Sequence, residues 1–404
     1  MPKNKKRIDC SYCFKKKCSE FQFSNFNEDD SRFINKPKDV YLCEKCGMIF
    51  LEQGMKLYEK INKYYTNSNH FLKPGTISED QKLRRINQAE WTLSNISAVD
   101  QINSVIDFGS GSGFFLKVFK DKGFKQLLGL DFSRKMCEFA KKKYRIEFLS
   151  GDFLKKKIQK KYDLATCIQT LEHLINPQKF FIKVKKILNA NGYLFIEVPD
   201  SDFPRFDQLP DYYVFDHLFH FTEKNLSNML ENHGFEIISI SHIDNKKDSG
   251  NPFRVLRILA RKSLKFKKRY YVDHLDILNL KKTLKNYRVN HKHYLKEFKE
   301  KIIKIKKKIK RHKFAIICGG EHTNLLLKRF MGSIKNPSLI YDSDKYISGK
   351  KLNNVLIENS SNLGKDKSIK NFIISSTNHE KELYNHLKKI NPKFNVYTIY
   401  ENYN

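Results

Sequence analysis

The residues best suited to chemistry lie in three stretches of this 404-residue chain. Near its start, "CSYC" places Cys10 and Cys13 in a C-x-x-C pair, and "CEKCG" does the same for Cys43 and Cys46. Each pair can close a knuckle around half of a tetrahedral site, with Gly47 permitting a tight turn after the second. Thiolates are soft ligands that suit zinc, and a reducing compartment leaves them free to bind it. Cys10, Cys13, Cys43 and Cys46 are therefore expected to hold one zinc ion, with an inserted loop between the pairs. Cys18 is expected to stand outside the ligand set. Cys137, Cys167 and Cys318 fall in apolar runs and read as small buried hydrophobes.

The second stretch is "VIDFGSGSGFFLKVF", residues 105–119, where a strand-like run meets a loop with three glycines and then a helix-like run. Its core is Asp107, Gly109, Gly111 and Gly113, an acidic residue followed by G-x-G-x-G. Loops of this kind admit a dinucleotide, a nucleotide phosphate or S-adenosylmethionine. A dinucleotide fingerprint needs its third glycine one place later, where Phe114 stands. A P-loop needs Gly-Lys-Ser/Thr, and here Gly113 is followed by Phe114, Phe115 and Leu116.

The third stretch, "PDYYVFDHLFHF", packs Tyr212, Tyr213, Asp216, His217 and His220 into nine residues. A histidine beside a carboxylate is suited to general-base work, because its proton affinity lies near working pH. The alternative is that Asp216 and His217 only fix their loop by hydrogen bonds. A further candidate pair, Glu172 and His173 in "LEHL", follows a strand-like run.

The elements that must position these residues alternate in type. "KQLLGLDFS" is a second strand ending in Asp131, whose carboxylate can accept both hydroxyls of a ribose. "IEFLSGDF" is a third, ending in Asp152 and Phe153, suited to an adenine amino group and the face of its ring. "KYDLATCIQTLEHL" is a fourth strand running into a loop. Strands alternating with helix-length segments mark a parallel, doubly wound α/β sheet, whose ligands sit beyond the carboxyl ends of the strands. A later strand ends at Val198 and Pro199; Thr222 caps the next helix and Gly234 ends it. "SGNPFRVLRILARK" reads as the last strand. A Lys-rich helix follows, with Leu295, Phe298, Ile302, Ile305 and Ile309 on one apolar stripe. A second α/β unit opens at "KFAIICGGEHTNLLLKRF", where Gly319 and Gly320 can admit a phosphate.

Over residues 104–262 the chain resembles the class I S-adenosylmethionine-dependent methyltransferases. The resemblance implies that the loop opened by Asp107, with Gly109, Gly111 and Gly113, lets the backbone approach the methionine part of the cofactor. It implies Asp131 at the ribose, Asp152 and Phe153 at the adenine, and Gln169 beside the sulfonium. Over nearly its whole length the chain is similar to the sugar C-methyltransferases, which methylate a carbon beside the 4-keto group of deoxyhexoses carried on a nucleoside diphosphate. "YLCEKCG" and the glycine loop carry that likeness. Asp216-His217 matches the family's Glu-His pair, His173 its histidine after the fourth strand, and Tyr64 or Tyr65 its tyrosine near the knuckle. The chain departs from the family at Val214, where a tyrosine is expected. It departs again at Ser249-Gly250-Asn251-Pro252-Phe253-Arg254, in place of His-Gly-Gly-Ser-Leu-Arg. What is implied is a base, His217 oriented by Asp216, with Tyr212 or Tyr213 steadying an enolate oxygen. The base would equally serve a hydroxyl acceptor, so carbon and oxygen both stay open.

The expected architecture is thus α/β: a zinc knuckle over 1–66, a Rossmann-like methyltransferase domain over 67–262, a helical connector over 263–312 and a smaller Rossmann-like domain over 313–404. The formal charge of +33 is spread along the chain rather than gathered in one patch, which fits a compositional bias. An anionic small substrate, a nucleotide-linked sugar, suits it, and a nucleic-acid partner is not expected. Two other readings stay open: an RNA methyltransferase gripping phosphates through knuckle and charge, and a non-catalytic scaffold on a vestigial cofactor fold. No apolar run approaches a membrane span and the basic start lacks a signal peptide's apolar stretch, so a cytoplasmic protein is expected. Nothing in the sequence sets an oligomeric state.

Overall fold

A computed structural model describes residues 9–13, 18–23, 38–51, 59, 61, 63, 77, 79–97, 101–207, 212–214, 216–244, 254–263, 272–331, 336–345, 347–377 and 379–401. Tyr64, Tyr65 and positions 249–253, singled out in the sequence, lie outside the described residues. The chain forms two compact units, residues 1–204 with 213–285 and residues 205–212 with 286–404. The boundary falls inside the helix His274–Ile309. No helix among the described residues is long and apolar enough to cross a membrane.

The first unit opens with the strands β1 (Cys18–Phe23), β2 (Lys38–Cys43) and β3 (Ile49–Leu51). They form an antiparallel sheet with a fourth strand from far along the chain, described below. The larger sheet begins with β4 (Ser104–Phe108), β5 (Gln126–Asp131), β6 (Glu147–Ser150), β7 (Tyr162–Ile168) and β8 (Leu188–Pro199). After β9 (Phe219–His220), it is completed by β10 (Phe235–Asp244) and β11 (Arg254–Lys262). Its order is β10-β11-β8-β7-β4-β5-β6, parallel from β8 to β6, with β11 antiparallel to both its neighbours. Every residue of β4 is buried, as expected of a central parallel strand covered on both faces.

Helices cover this sheet because their apolar residues fall on one side. Phe114–Asp121 buries Phe115, Leu116, Val118 and Phe119, which join Tyr144, Ile146 and Phe148 in one core. Ser133 caps the helix Arg134–Tyr144 by accepting from Met136 N at 3.4 Å. Thr222 caps Glu223–Asn232 in a reciprocal pair with Asn225, and Gly234 (φ 77°) leaves that helix in the left-handed conformation. Both of these boundaries were legible in the sequence.

The second unit carries a sheet of its own: β12 (Phe314–Ile317), β13 (Leu339–Asp342), β14 (Lys351–Leu352), β15 (Val355–Asn359), β16 (Asn371–Ile374) and β17 (Asn395–Tyr397). The order is β14-β15-β13-β12-β16-β17, all parallel except β14. The stripe expected on the long helix is present: Leu295, Phe298, Ile302, Ile305 and Ile309 are all buried. Cys137 and Cys167 are buried as expected, and Cys318 is partly buried, packed against the core of the second unit. It is half-buried at φ 78°, a turn residue at the end of β12.

The middle of β5 has no room for a side chain. A Cβ on Gly129 would stand 2.2 Å from two ring atoms of Phe148 on the neighbouring strand. Gly129→Ala is expected to destabilise the protein by about 2 kcal/mol through overpacking, read as a lowered urea midpoint. An unchanged midpoint would contradict this packing.

Candidate active site

The crevice lies where strand order diverges, with β5 on one side of β4 and β7 on the other. The three loop glycines have different physical jobs. Gly109 (φ 77°) is pressed under the loop after β7: a Cβ there would lie 2.0 Å from Thr170 Oγ1. Gly113 (φ 74°) starts the helix, and a Cβ would lie 2.6 Å from Phe148 and 2.8 Å from Ala140. Gly111 (φ 48°) faces open space, with nothing within 4 Å of its Cβ position. The N–H groups of Gly109 and Ser110 both donate to Leu130 O at 2.8 and 2.9 Å, which folds the loop back over β5.

Asp131 fixes the loop from the other side. Its Oδ2 accepts from Gly111 N at 2.8 Å and its Oδ1 from Ser133 N at 2.8 Å. Burial raises this carboxyl above its ordinary value, and those two N–H groups work against the rise. Asp107 is buried and accepts from Thr166 Oγ1 at 2.6 Å. Burial pushes its carboxyl up to about 6, with the Thr166 bond opposing. Asp152 accepts from Leu154 N at 3.0 Å, with Lys155 Nζ 3.6 Å from its other oxygen. Phe153 is fully buried, its ring 5.4 Å from Phe108 and 5.5 Å from Phe132.

Gln169 ends β7 in a left-handed conformation (φ 50°), unusual for a residue with a side chain. Its N–H donates to Glu197 O at 2.8 Å, and its Nε2 reaches Glu197 Oε1 at 3.3 Å. Glu197 is fully buried and also accepts from Gln88 Nε2 at 2.7 Å and Arg257 Nε at 2.7 Å. Sequence reasoning assigned nothing to Gln88, Glu197 or Arg257. The signal was there: a lone Glu in "LFIEVP" and a lone Arg in "VLRILA" are charges inside apolar strands, and a buried charge needs a partner.

Around His217 the structure joins residues far apart in sequence. His173 Nδ1 lies 2.7 Å from the main-chain carbonyl of Asp216. The rings of His173 and His217 meet edge to face at 4.8 Å, and His217 and His220 are 6.2 Å apart. Tyr213 is buried with its ring 4.7 Å from His220. Tyr212 N donates to Tyr287 Oη at 3.0 Å, a contact within the second unit. Glu172, fully buried, holds the segment through its main chain: Leu218 N donates to Glu172 O at 2.7 Å. Beyond this cluster, Asp200, Glu223 and His242 form a closed group, with His242 Nδ1 2.7 Å from Asp200 and Nε2 2.9 Å from Glu223.

The strand that completes the small sheet is β9. Ile49 pairs with His220 and Phe50 with Phe219, and Leu51 N donates to Leu218 O at 3.1 Å. The knuckle is therefore bonded to the segment carrying His217 and His220. Its thiols converge: Cys10 and Cys46 sulfurs are 3.7 Å apart, Cys13 and Cys43 sulfurs 3.5 Å apart, and all four lie within 4.8 Å of one another. A tetrahedral zinc with bonds of about 2.3 Å sets its sulfurs about 3.8 Å apart, so the donor set fits. Cys43 is held well below the ordinary thiol range by hydrogen bonds from Cys10 first, then Cys13, Cys18 and Cys46. Cys18 stands directly opposite Cys43 in the strand pair, a fifth thiol beside the four.

With this geometry in view, residues 80–240 match the family described as a methyltransferase domain. The matched span contains the glycine loop, Asp131, Gln169, His173 and His217. Residues 80–240 therefore carry a stretch that matches a methyltransferase domain, the domain of an enzyme. Among curated relatives, the C-methyltransferase NovU of Streptomyces niveus is 22% identical over 214 residues, covering 52% of this chain and 49% of that protein. The ubiquinone biosynthesis O-methyltransferase of Leptothrix cholodnii is 23% identical over 129 residues, covering 30% of this chain and 54% of that one. The chain thus spans about half the length of the curated relatives it matches. Among solved structures, an S-adenosylmethionine-dependent methyltransferase from Aquifex aeolicus is 19% identical, with 50% of this chain and 97% of that one covered and a TM-score of 0.36. The magnesium protoporphyrin IX methyltransferase of Synechocystis PCC 6803, with bound SAH, is 16% identical, with 47% and 90% covered and a TM-score of 0.35.

Two outcomes are expected from this site. Asp131→Ala should weaken S-adenosylmethionine binding by about 2 kcal/mol or more, since it removes a charged acceptor and frees the Gly111 amide. Calorimetric titration measures this, and unchanged affinity contradicts the role. The protein should also carry about one zinc per chain. A Cys43→Ser, Cys46→Ser variant should lose it and show faster amide exchange at Ile49–Leu51 and Phe219–His220. Full metal retention in that variant contradicts the ligand set.

Proposed function

We propose that this enzyme transfers the methyl group of S-adenosylmethionine to a sugar, a nucleotide-linked keto-deoxyhexose, at the carbon beside its ketone. The observation that carries the reading is the meeting of His173 and His217, 44 positions apart in sequence, at the carboxyl end of β7 close to Gln169. Carbon methylation demands a base at that place. A proton must leave the carbon alpha to the ketone, and the resulting enolate must meet the methyl group in line.

S-adenosylmethionine, when bound, supplies a methyl group made electrophilic by its positive sulfur. Gly111 and Asp131 would hold its amino-acid and ribose parts, and Gln169 would line the place of the sulfur. His217 takes the acceptor proton. Asp216 belongs to the same segment, and its carbonyl ties that segment to His173. Tyr213, buried with its ring 4.7 Å from His220, would steady the enolate oxygen. The cysteine knuckle would hold its zinc through Cys10, Cys13, Cys43 and Cys46, bracing β9 rather than reaching the acceptor.

The second unit supports a nucleotide-bearing substrate. Cys318 N donates to Tyr341 O at 2.8 Å and Gly319 N to Asp342 Oδ2 at 2.6 Å, while Asp344 N donates to Asp342 Oδ1 at 2.8 Å. Gly109, Gly111, Leu130, Asp131 and Ser133 repeat that pattern in the first unit. The O-methyltransferase among the relatives favours a second reading, methylation of a sugar hydroxyl, in which His217 deprotonates oxygen instead.

The deciding experiment incubates the enzyme with methyl-labelled S-adenosylmethionine and a panel of nucleoside-diphosphate keto-deoxyhexoses, followed by mass spectrometry and NMR. One added methyl on carbon is expected. An ether product supports the second reading, and no transfer to any sugar nucleotide overturns both. His217→Asn should lower turnover about a hundredfold or more with cofactor affinity unchanged, and Asp216→Asn should lower it less. In deuterium oxide with S-adenosylhomocysteine present, the parent should exchange the alpha proton of the keto-sugar and His217→Asn should not.

A further inference from the structure

Glu172 is the buried group that the reading above leaves without a task. Its side chain is 1% exposed, and among the described residues neither carboxyl oxygen has a hydrogen-bond partner apart from the main chain of Glu172 itself. Buried polar groups are paired almost without exception, so an orphaned carboxyl needs an explanation. Oε1 stands 3.9 Å from His173 Nε2. One oxygen of Glu172 and one ring nitrogen each of His173 and His217 all lie within 4.8 Å of one another.

The other face of His173 decides its tautomer. Its Nδ1 lies 2.7 Å from a main-chain carbonyl, that of Asp216, and a carbonyl can only accept. Nδ1 therefore carries hydrogen, and in the neutral ring Nε2 is a lone pair aimed toward Glu172. An ionised Glu172 facing a neutral His173 would set two sets of lone pairs against each other in a buried space. One proton between them removes the conflict, either as carboxylic acid and imidazole or as carboxylate and imidazolium.

We propose that Glu172 is a positioning residue of the acceptor site: it shares one proton with His173, and this shared proton fixes the His173 ring against Asp216 and sets the charge beside His217. The surroundings agree. Burial pushes the Glu172 carboxyl up to about 7; His173 and a hydrogen bond from Glu172's own main chain oppose the rise, and Asp216 and Glu197 add to it. The titratable groups facing Glu172 are His173 on its own turn, Asp216 and His217 before β9, Glu197 on β8 and Cys167 on β7. The histidines alone among these bear positive charge when protonated, so the pair holds its proton as a unit. A proton held there disfavours a second on His217, which keeps His217 ready to accept one from the acceptor. This last step rests on the proposed reaction; the shared proton does not.

The test uses the full-length, zinc-loaded enzyme. In the parent, long-range proton–nitrogen NMR should place hydrogen on Nδ1 of neutral His173. The Glu172 carboxyl carbon should move as pH crosses about 7, and the proton it takes up should register at the His173 ring as one common step. In Glu172→Gln the common step should disappear, while S-adenosylmethionine affinity stays the same. Turnover on a nucleoside-diphosphate 4-keto-deoxyhexose should fall at least about tenfold, with the step near neutrality lost from the pH profile. Hydrogen on Nε2 of neutral His173, or independent titration of the two groups in the parent, overturns the proposal even if Glu172→Gln fails to fold. If the shared step is present in the parent but no sugar nucleotide is methylated, the proton pair stands and the reading of the reaction falls.

Discussion

The cluster around His217 depends on a short piece of β-ladder. Phe219 and His220 pair with Phe50 and Ile49, Leu51 N bonds to Leu218 O, and Leu218 N bonds to Glu172 O. These bonds join the cysteine knuckle, the segment with His217 and the turn with His173. A two-residue strand has little stability of its own, so its position is set by what lies on either side. On one side the four thiols set the β2–β3 turn, and on the other β7 delivers Glu172 and His173. Asn225 strengthens the join by donating to Gly47 O at 3.1 Å while it caps the following helix.

The cofactor side follows a different logic. Its loop is held by main-chain donors and one carboxylate, with few side chains involved. Asp131 takes both the Gly111 and Ser133 amides, and Thr170 sits where any side chain on Gly109 would have to go. Behind the loop, Glu197 collects Gln88, Gln169 and Arg257 in a buried cluster that links helix Glu79–Ser94 to β8, β11 and the end of β7. Removing one member of such a cluster leaves the others charged and dry, so the cluster specifies one arrangement of Gln169. The positive φ of Gln169 is a strained geometry, and two bonds to Glu197 hold it there.

The same loop solution occurs twice in the chain. Cys318 adopts φ 78° where the first unit has Gly109 at φ 77°, and each donates to the strand residue before the bracing aspartate. A non-glycine residue in that conformation persists only when its surroundings over-determine it. Cys318 is only partly buried although its neighbours "FAIIC" look like one buried run, because φ cannot be seen in residue types.

Local patterns were written plainly in the sequence. The strands from Val105 to Asp131 and from Phe148 to Val198, the Thr222 cap, the Gly234 stop and the stripe from Leu295 to Ile309 follow from period, propensity and capping chemistry, which act over a few neighbours. So did the C-x-x-C pairs and the G-x-G-x-G loop, because tight turns around ligands constrain residues at fixed short spacing. The tertiary structure alone decided which distant groups meet. Nothing in "LEHL" or "FDHLFH" says that His173 packs on His217, that the knuckle's third strand pairs with β9, or that Asp216 contributes its carbonyl to His173. Glu172 and Glu197 read alike as acidic residues in apolar runs, yet Glu197 takes bonds from Gln88, Gln169 and Arg257 while Glu172 has no side-chain hydrogen bond among the described residues. The difference lies in burial and in the order of strands, which the chain settles only by packing as a whole.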